Sequence, residues 1–394
     1  MEREACLCEP SQGKRCEAIF TMHSIWLPPQ ILYERRQGGV CGFQNSPPGT
    51  WLCAAFNRLP SCSVQQLQQE LDEGKRIVQA WSLRGAPWIF PLSDASVFLD
   101  ALCAKEGEAW IYTNGLRYCQ KEIGVPFSVL LEELMQCLQI LKQEPVVSKQ
   151  RLDQVLAAAM YARIPSVLQP LWQAASPFAK GQLYGEAIVS FLLRPASFQR
   201  GIVFGPRQKG SPTFTAFPLT ASQKDTASDA ACRSLVCRFL HAYGPGDVKG
   251  FAKWTGMELP QARRLWKLAE HERTSVMYQG REYSIWERDT YDKQQAVEAV
   301  MLLPPHDPLL DLWDRDLLLE DRNLQRMVWK TVQNPGVVMQ NGRICGIWRS
   351  KKQKTVNELH IRLFTDIDMK SLHIWIKAYE QFLGQKILVD ISRP

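Results

Sequence analysis

The chain has 394 residues, a formal charge of +7, and 45% hydrophobic against 22% charged residues. That length predicts two to four domains or one large one, and the composition excludes global disorder. No run approaches the ~20 apolar residues of a membrane span, and acids and cysteines stand where a secretory signal needs a basic then apolar run, so a soluble cytoplasmic protein without membrane attachment is expected.

Residues 1–21 lack periodicity and read as a frayed tail. Patterned sequence begins near Met22, which marks that residue as an alternative start of translation. Cys6, Cys8, Cys16 and His23 cluster there, but their spacing matches no common zinc site, and no metal or cofactor is expected. Cys53, Cys103, Cys137 and Cys345 sit among apolar neighbours, as small buried hydrophobes do.

Gln65–Leu71 reads as a short amphipathic helix with Ser63 as N-cap and Gly74 as its stop. RIVQAWSLRG and APWIFPL alternate like two strands about a turn, and Ser93-Asp94 opens a helix over SDASVFLDALCAKEG. FSVLLEELMQCLQILKQE and SKQRLDQVLAAAMYA are amphipathic helices closed before Pro145 and Pro165. IVSFLLRP and GIVFGPRQKGSPTFTAF carry strand-like runs broken by Gly and Pro, as a wing would. DAACRSLVCRFLHAYG, GPGDVKGFAKWTG and LPQARRLWKLAEHE read as three helices, followed by a hairpin turning at Gln279-Gly280. After Lys293 the character changes: a hairpin turns at Asn341-Gly342 in a type I′ turn, NELHIRLFTDI is a strand, and SLHIWIKAYEQFLGQ is a helix.

The order helix, helix, hairpin recurs as architecture without a residue repeat. It predicts an α+β chain divided into a tail (1–21), winged helices over 22–125, 126–227 and 228–294, and a β-rich domain with a closing helix over 295–394.

Five phrases, in order, carry a family likeness: GFQNSPPGTWLCAAFNRLPS at 42–61, WSLRGAPWIFP at 81–91, GPGDVKGFAKWTG at 244–256, LLPPHDPLLDLWDRDLLL at 302–319 and GRICGIWR at 342–349. Together they resemble the bacterial winged-helix DNA-binding family of the AlkZ and YcaQ DNA glycosylases. The resemblance implies three tandem winged helices and a small C-terminal β-barrel around a DNA channel. It also implies excision of alkylated purines, including bases in interstrand crosslinks. The family positions water with a Gln-x-Gln or Gln-x-Asp motif on a loop of the first winged helix. Here Gln44 fits the first position, and Ser46 stands where the second Gln or Asp occurs. Asn45 is adjacent, but neighbouring residues on an extended loop point in different directions. Relatives often carry a His where Trp88 stands.

The candidate catalytic residues are therefore Gln44 and Ser46, with Phe43, Trp51 and Trp88 as pocket-shaping or stacking groups, although a Trp on an alternating strand more often fills the core. The candidate DNA contacts are Arg84 and Trp88 at the first hairpin, Arg207 and Lys209 at the second, and Lys249, Lys253, Arg263, Arg264 and Lys267 on the paired helices. Arg343, Arg349, Lys351 and Lys352 join them at the C-terminal hairpin, with Lys354 extending that run. A solvated helix face explains such charges equally well. Asp307 reads as structural, capping a turn. No GxxxxGK[ST], GxGxxG after a strand, HExxH or GxSxG occurs, so nucleotide hydrolysis, dinucleotide redox, zinc proteolysis and α/β-hydrolase chemistry lack their signatures.

Three readings stay open: a DNA N-glycosylase of repair or self-resistance, a non-catalytic DNA-binding protein such as a lesion sensor or regulator, and an interaction scaffold without DNA. The expected partner is double-stranded DNA, bound by a monomer.

Overall fold

The structure, a computed structural model, describes residues 41–59, 62–112, 123–218, 228–289, 299–352 and 356–393. The tail 1–21, the Cys6, Cys8, Cys16 and His23 group, Met22 and Lys354 lie outside them.

Strand β1 (Phe43–Gln44) leads through a Pro-Pro-Gly turn into α1 (Thr50–Phe56). Helix α2 (Val64–Glu73) starts at Ser63, whose Oγ accepts the Gln66 amide at 3.2 Å while Gln66 Oε1 accepts the Ser63 amide at 2.9 Å. This reciprocal cap satisfies two otherwise orphaned donors. Gly74, at φ +62°, ends the helix. Strands β2 (Ile77–Trp81) and β3 (Pro87–Pro91) pair antiparallel, from Ile77 opposite Pro91 to Trp81 opposite Pro87.

The helix expected from Ser93 onward is only α3 (Ala95–Phe98), flanked by single 3-10 turns at Leu92–Asp94 and Asp100–Leu102. Phe98, Leu99, Ala101 and Leu102 are all buried. Apolar residues on every side leave no helical stripe, so tertiary burial sets the backbone there. Asp100 is tied across the fold to Arg200, whose Nε donates at 2.7 Å.

Helix α4 (Phe127–Cys137), strand β4 (Val146–Val147) and helix α5 (Lys149–Tyr161) follow, α5 capped by Ser148 Oγ on the Arg151 amide. Then come α6 (Gln169–Gln173) and α7 (Tyr184–Phe198). IVSFLLRP, expected as strand, lies inside α7. Short apolar runs do not distinguish a buried strand from a buried helix. Here Glu186 accepts the Leu183 amide at 3.1 Å and starts a helix, and Pro195 falls near its end.

Strands β5 (Ile202–Gln208) and β6 (Ser211–Ala216) form the expected hairpin. Helices α8 (Asp229–Tyr243), α9 (Val248–Thr255) and α10 (Leu259–Leu268) precede the hairpin β7 (Arg273–Tyr278) and β8 (Arg281–Trp286). The chain continues through β9 (Met301–Leu303), α11 (Arg322–Val328), β10 (Gly336–Gln340), β11 (Arg343–Lys352), β12 (Val356–Leu363), α12 (Met369–Leu383) and β13 (Lys386–Ser392). Asn341 and Gly342 turn β10 into β11 with φ of +51° and +72°, the pair a type I′ turn requires.

The described residues divide into two compact units, each assembled from distant segments: those up to 67 with 238–246 and those from 274 onward, and those of 68–237 with 247–273.

In the first unit the sheet order is β13-β12-β11-β10-β9. The expected C-terminal barrel is not present: the sheet is open, and no closed barrel occurs among the described residues. The reason is the last connection. Strands β12 and β13 are parallel, and parallel neighbours need a crossover, here α12. Leu372, Trp375 and Ile376 of α12 pack with Leu359 and Ile361 of β12, so a helix covers the face that a barrel would roll inward. Helix α1 joins this core. Phe56 packs against Trp375, Tyr379 and Phe382 at 5.1–5.4 Å between rings. Asn57 donates to Leu302 O and accepts from Trp375 Nε1, both at 2.9 Å.

In the second unit the strands pair in the order β3-β2-β5-β6-β4. The two hairpins expected as separate wings thus share one ladder, joined where Gln79 faces Phe204. Trp81 and Phe214 from the strands pack with Leu130 and Leu134 of α4, Leu152, Leu156 and Met160 of α5, and Ile188 and Leu192 of α7.

Candidate functional site

Gln44 ends β1 and is 8% exposed. The following turn is fixed by its own polar atoms: Asn45 Oδ1 accepts the Gly49 amide at 2.6 Å, and Thr50 Oγ1 donates to Pro47 O at 2.8 Å. Gly49, at φ +94°, supplies the left-handed residue before α1. Asn45 Oδ1 is thereby engaged in holding the turn, while Ser46 is half-buried between Asn45 and the exposed Pro47-Pro48-Gly49. Phe43 and Trp51, at 4% and 3% exposure, are core residues on either side of the loop.

The ground beneath this loop is a buried ion pair that sequence reading missed. Arg58, just past α1, donates to both Asp307 oxygens at 2.9 and 2.8 Å, and to Ala54 O at 3.0 Å. Its guanidinium carbon sits 6.0 Å from the Phe43 ring centroid. The Asp307 side chain is fully buried and also accepts the Leu309 amide at 3.0 Å, so it caps the turn as expected and clamps α1 as well. Burial opposes the charge on Arg58, but Asp307 outweighs it and raises the guanidinium pKa above its ordinary value. The partners are 249 residues apart. The only sequence signal was an Asp inside an apolar, proline-rich run.

In the second unit Arg84 occupies the β2–β3 turn at φ +57°. Its guanidinium donates to Trp254 O at 2.9 Å, near the end of α9, and lies 5.4 Å from the Trp88 centroid. Trp88 is fully buried, and its indole N–H has no hydrogen-bond partner among the described residues. Of the two readings of Trp88, base stacking and core, its burial favours the core one, as is common for tryptophans on alternating strands.

The expected basic contacts separate by environment. Lys249, Lys253, Arg263 and Lys267 are exposed along α9 and α10. Arg264, between them, is not part of that face: it is half-buried and donates to both Glu108 oxygens at 2.6 and 2.8 Å. Arg207 and Lys209 are exposed at the β5–β6 turn, where Arg207 donates to Gly210 O and Lys209 takes φ +47°. Arg343 is paired with Glu320 at 2.9 Å, Arg349 is exposed and donates to Gln333 O at 3.0 Å, Lys351 is exposed, and Lys352 ends β11.

The eight described cysteines are thiols, not joined in disulfides. Burial pushes the Cys41 and Cys103 thiols up to about 12 and raises Cys53 further, which removes them as thiolate nucleophiles. No helix among the described residues is long and apolar enough to cross a membrane.

A family model for AlkZ-like DNA glycosylases matches residues 38–382. Among solved structures, the Streptomyces sahachiroi DNA glycosylase AlkZ aligns with a TM-score of 0.69 and 16% identity, over 97% of this chain and 100% of that one. The fold is shared at that distance. No curated protein matches. The matched span runs from before the Gln44 loop to within α12, and includes both halves of the Arg58–Asp307 clamp: the chain belongs to the AlkZ-like DNA glycosylase family.

Proposed function

We propose that the protein is a monofunctional DNA N-glycosylase that hydrolyses the N-glycosidic bond of alkylated or crosslinked purines in double-stranded DNA. The observation that carries this reading is Gln44: a buried amide at the family's water-positioning place, on a loop anchored through α1 to Asp307. Gln44 would orient water toward the anomeric carbon by accepting one of its protons in a hydrogen bond. Water oxygen bonds to C1′ as the C1′–N9 bond breaks, and the bonding pair leaves with the base. An N7-alkylguanine is cationic, so that pair neutralises it, and the proton lost from water passes to solvent. Little acid catalysis is then required; orientation and stabilisation of the oxocarbenium-like sugar do the work. Ser46 would assist through its hydroxyl.

The same proposal takes residues 22–125, 126–227 and 228–294 as winged helices. The helix, helix, helix, hairpin order from α8 to β8 supports the third. It places phosphate contacts on Lys249, Lys253, Arg263, Lys267, Arg207, Lys209 and Lys351, and takes the protein as a cytoplasmic bacterial monomer acting in DNA repair or self-resistance.

The test is alkali-revealed strand cleavage in a duplex carrying one 7-methylguanine. Cleavage that falls about 100- to 1,000-fold in Gln44→Ala supports the reading. Ser46 favours one second reading, a non-catalytic lesion binder, because a hydroxyl replaces the family's amide or carboxylate. Salt-sensitive binding without cleavage of 7-methylguanine, a bulkier alkyl adduct or a crosslink establishes that alternative.

A further inference from the structure

Tyr112, in the second unit, belongs to none of the motifs above. Its residue is 59% exposed, and its backbone holds φ +63°. That conformation is unfavourable for a side-chain-bearing residue and persists only where the surroundings impose it. Here the tyrosine side chain packs closely on the β2–β3 turn. A Cβ added at Gly85 would lie 2.8 Å from Tyr112 Cβ and 3.3 Å from Arg194 Cδ, so the turn accepts the tyrosine only because residue 85 is glycine.

One face of the ring is covered by a cation. The Arg194 guanidinium carbon lies 4.2 Å from the Tyr112 centroid and 5.6 Å from that of Trp81. Arg194 is itself fixed by donating to Gly85 O and Ser190 O, each at 3.3 Å. Trp81, Arg194 and Tyr112 thus form a short stack that begins in the core and ends at the surface. The outer end is a flat ring of set orientation.

The elements it packs against carry cations. Ile111 precedes it, and a Cβ added at Gly256 would lie 2.8 Å from Arg84 Cα and 3.2 Å from Ile111 Cγ2. The tyrosine therefore stands beside the turn that carries Arg84 and the end of α9, one helical turn from the exposed Lys253. A π-face next to cations suits a nucleobase with its phosphate. Because Arg194 already draws on the ring quadrupole, a second cation gains less there than a neutral ring does.

We propose that Tyr112 is a stacking platform for a neutral base of the bound DNA, distinct from the cationic base removed. The proposal rests on the glycosylase reading for its DNA and deepens it with a specific positioning residue.

The experiment uses the full chain and duplexes carrying 7-methylguanine, with 2-aminopurine in turn at successive positions along both strands. Anisotropy reads binding, emission reads stacking, and alkali-revealed cleavage reads excision. At one position the wild type should keep 2-aminopurine quenched. Tyr112→Ala should release that quenching and weaken binding about 5- to 150-fold. Tyr112→Phe should restore both. Tyr112→Leu, which keeps apolar bulk over Arg194 without a flat ring, should behave as Tyr112→Ala at unchanged melting temperature. The proposal is overturned if emission at every position is the same in Tyr112→Leu and wild type, or if the wild type does not bind the duplexes. Ring-dependent quenching without excision sinks the glycosylase reading and leaves the platform standing. Excision indifferent to residue 112, with unchanged emission, does the reverse.

Discussion

The Gln44 loop and the Arg84 turn are both tight, and both use a left-handed residue, Gly49 at φ +94° and Arg84 at +57°. They are secured by different forces. Beneath the first lies a desolvated charge pair, Arg58 with a fully buried Asp307, joined by two hydrogen bonds. The second is held by a guanidinium shared between a helix-end carbonyl and an aromatic ring. The difference teaches where each turn can fail. A buried pair fails as a unit, because removing one partner strands the other charge out of water. A guanidinium at a half-buried turn can lose one contact and still reach solvent.

The largest effect follows from that asymmetry. Asp307→Ala should destabilise the protein by about 3–5 kcal/mol, read as a fall in the urea midpoint at constant slope. Replacing the pair together, Arg58→Met with Asp307→Leu, should recover a substantial part of the loss. If the double variant is as unstable as the single one, the pair contributes specific geometry and not merely compensated charge. Arg84→Ala should cost less, about 1.5–3 kcal/mol, from its charge-assisted bond to Trp254 O. A loss equal to that of Asp307→Ala would erase the distinction between the two turns.

The same contrast marks what was legible in the sequence. Features set by neighbours along the chain were readable: the cap at Ser63, the stop at Gly74, and the turns at Gln279-Gly280 and Asn341-Gly342. Each depends on a side chain reaching a nearby amide, or on a residue tolerating positive φ. Features set by distant partners were not. Arg58 gave no sign that it would find Asp307. The two hairpins gave none that Gln79 would meet Phe204 and merge their ladders. The open C-terminal sheet turned on β13, whose parallel pairing no local pattern announces. Gln44 was legible only through the family likeness, since a lone Gln before Pro-Pro-Gly carries no physical signature. That Asn45 serves the turn became visible only in its bond to Gly49.

A smaller, pH-dependent effect separates the paired from the exposed cations. Burial raises the Glu108 carboxyl, but Arg264 and the Lys105 amide outweigh it, and the pKa falls below the ordinary 4.5. A depressed carboxylate stabilises the fold above its unfolded pKa and loses that contribution as pH drops through the folded value. The stability gap between wild type and Glu108→Gln should therefore be full near neutrality and shrink as pH falls below about 4.5. A gap that stays constant into stronger acid would mean that Glu108 acts through packing alone.

The finest division lies within α10, where Arg263, Arg264 and Lys267 are separated by a single turn but differ in what they face. Each phosphate contact releases counterions, so removing one should reduce the slope of log affinity against log salt by about 0.9. Arg263→Ala and Lys267→Ala, both at exposed positions, should each show that reduction at unchanged melting temperature. Arg264→Ala should show the opposite pattern: a lower melting temperature, because Glu108 loses its partner, and a salt slope like that of the wild type. The measurement is a salt titration of duplex binding in the three variants. Equal slopes for all three and the wild type would turn the basic face of α10 into a solvated surface, and would move the phosphate contacts of this unit to Lys249, Lys253 and the β5–β6 turn.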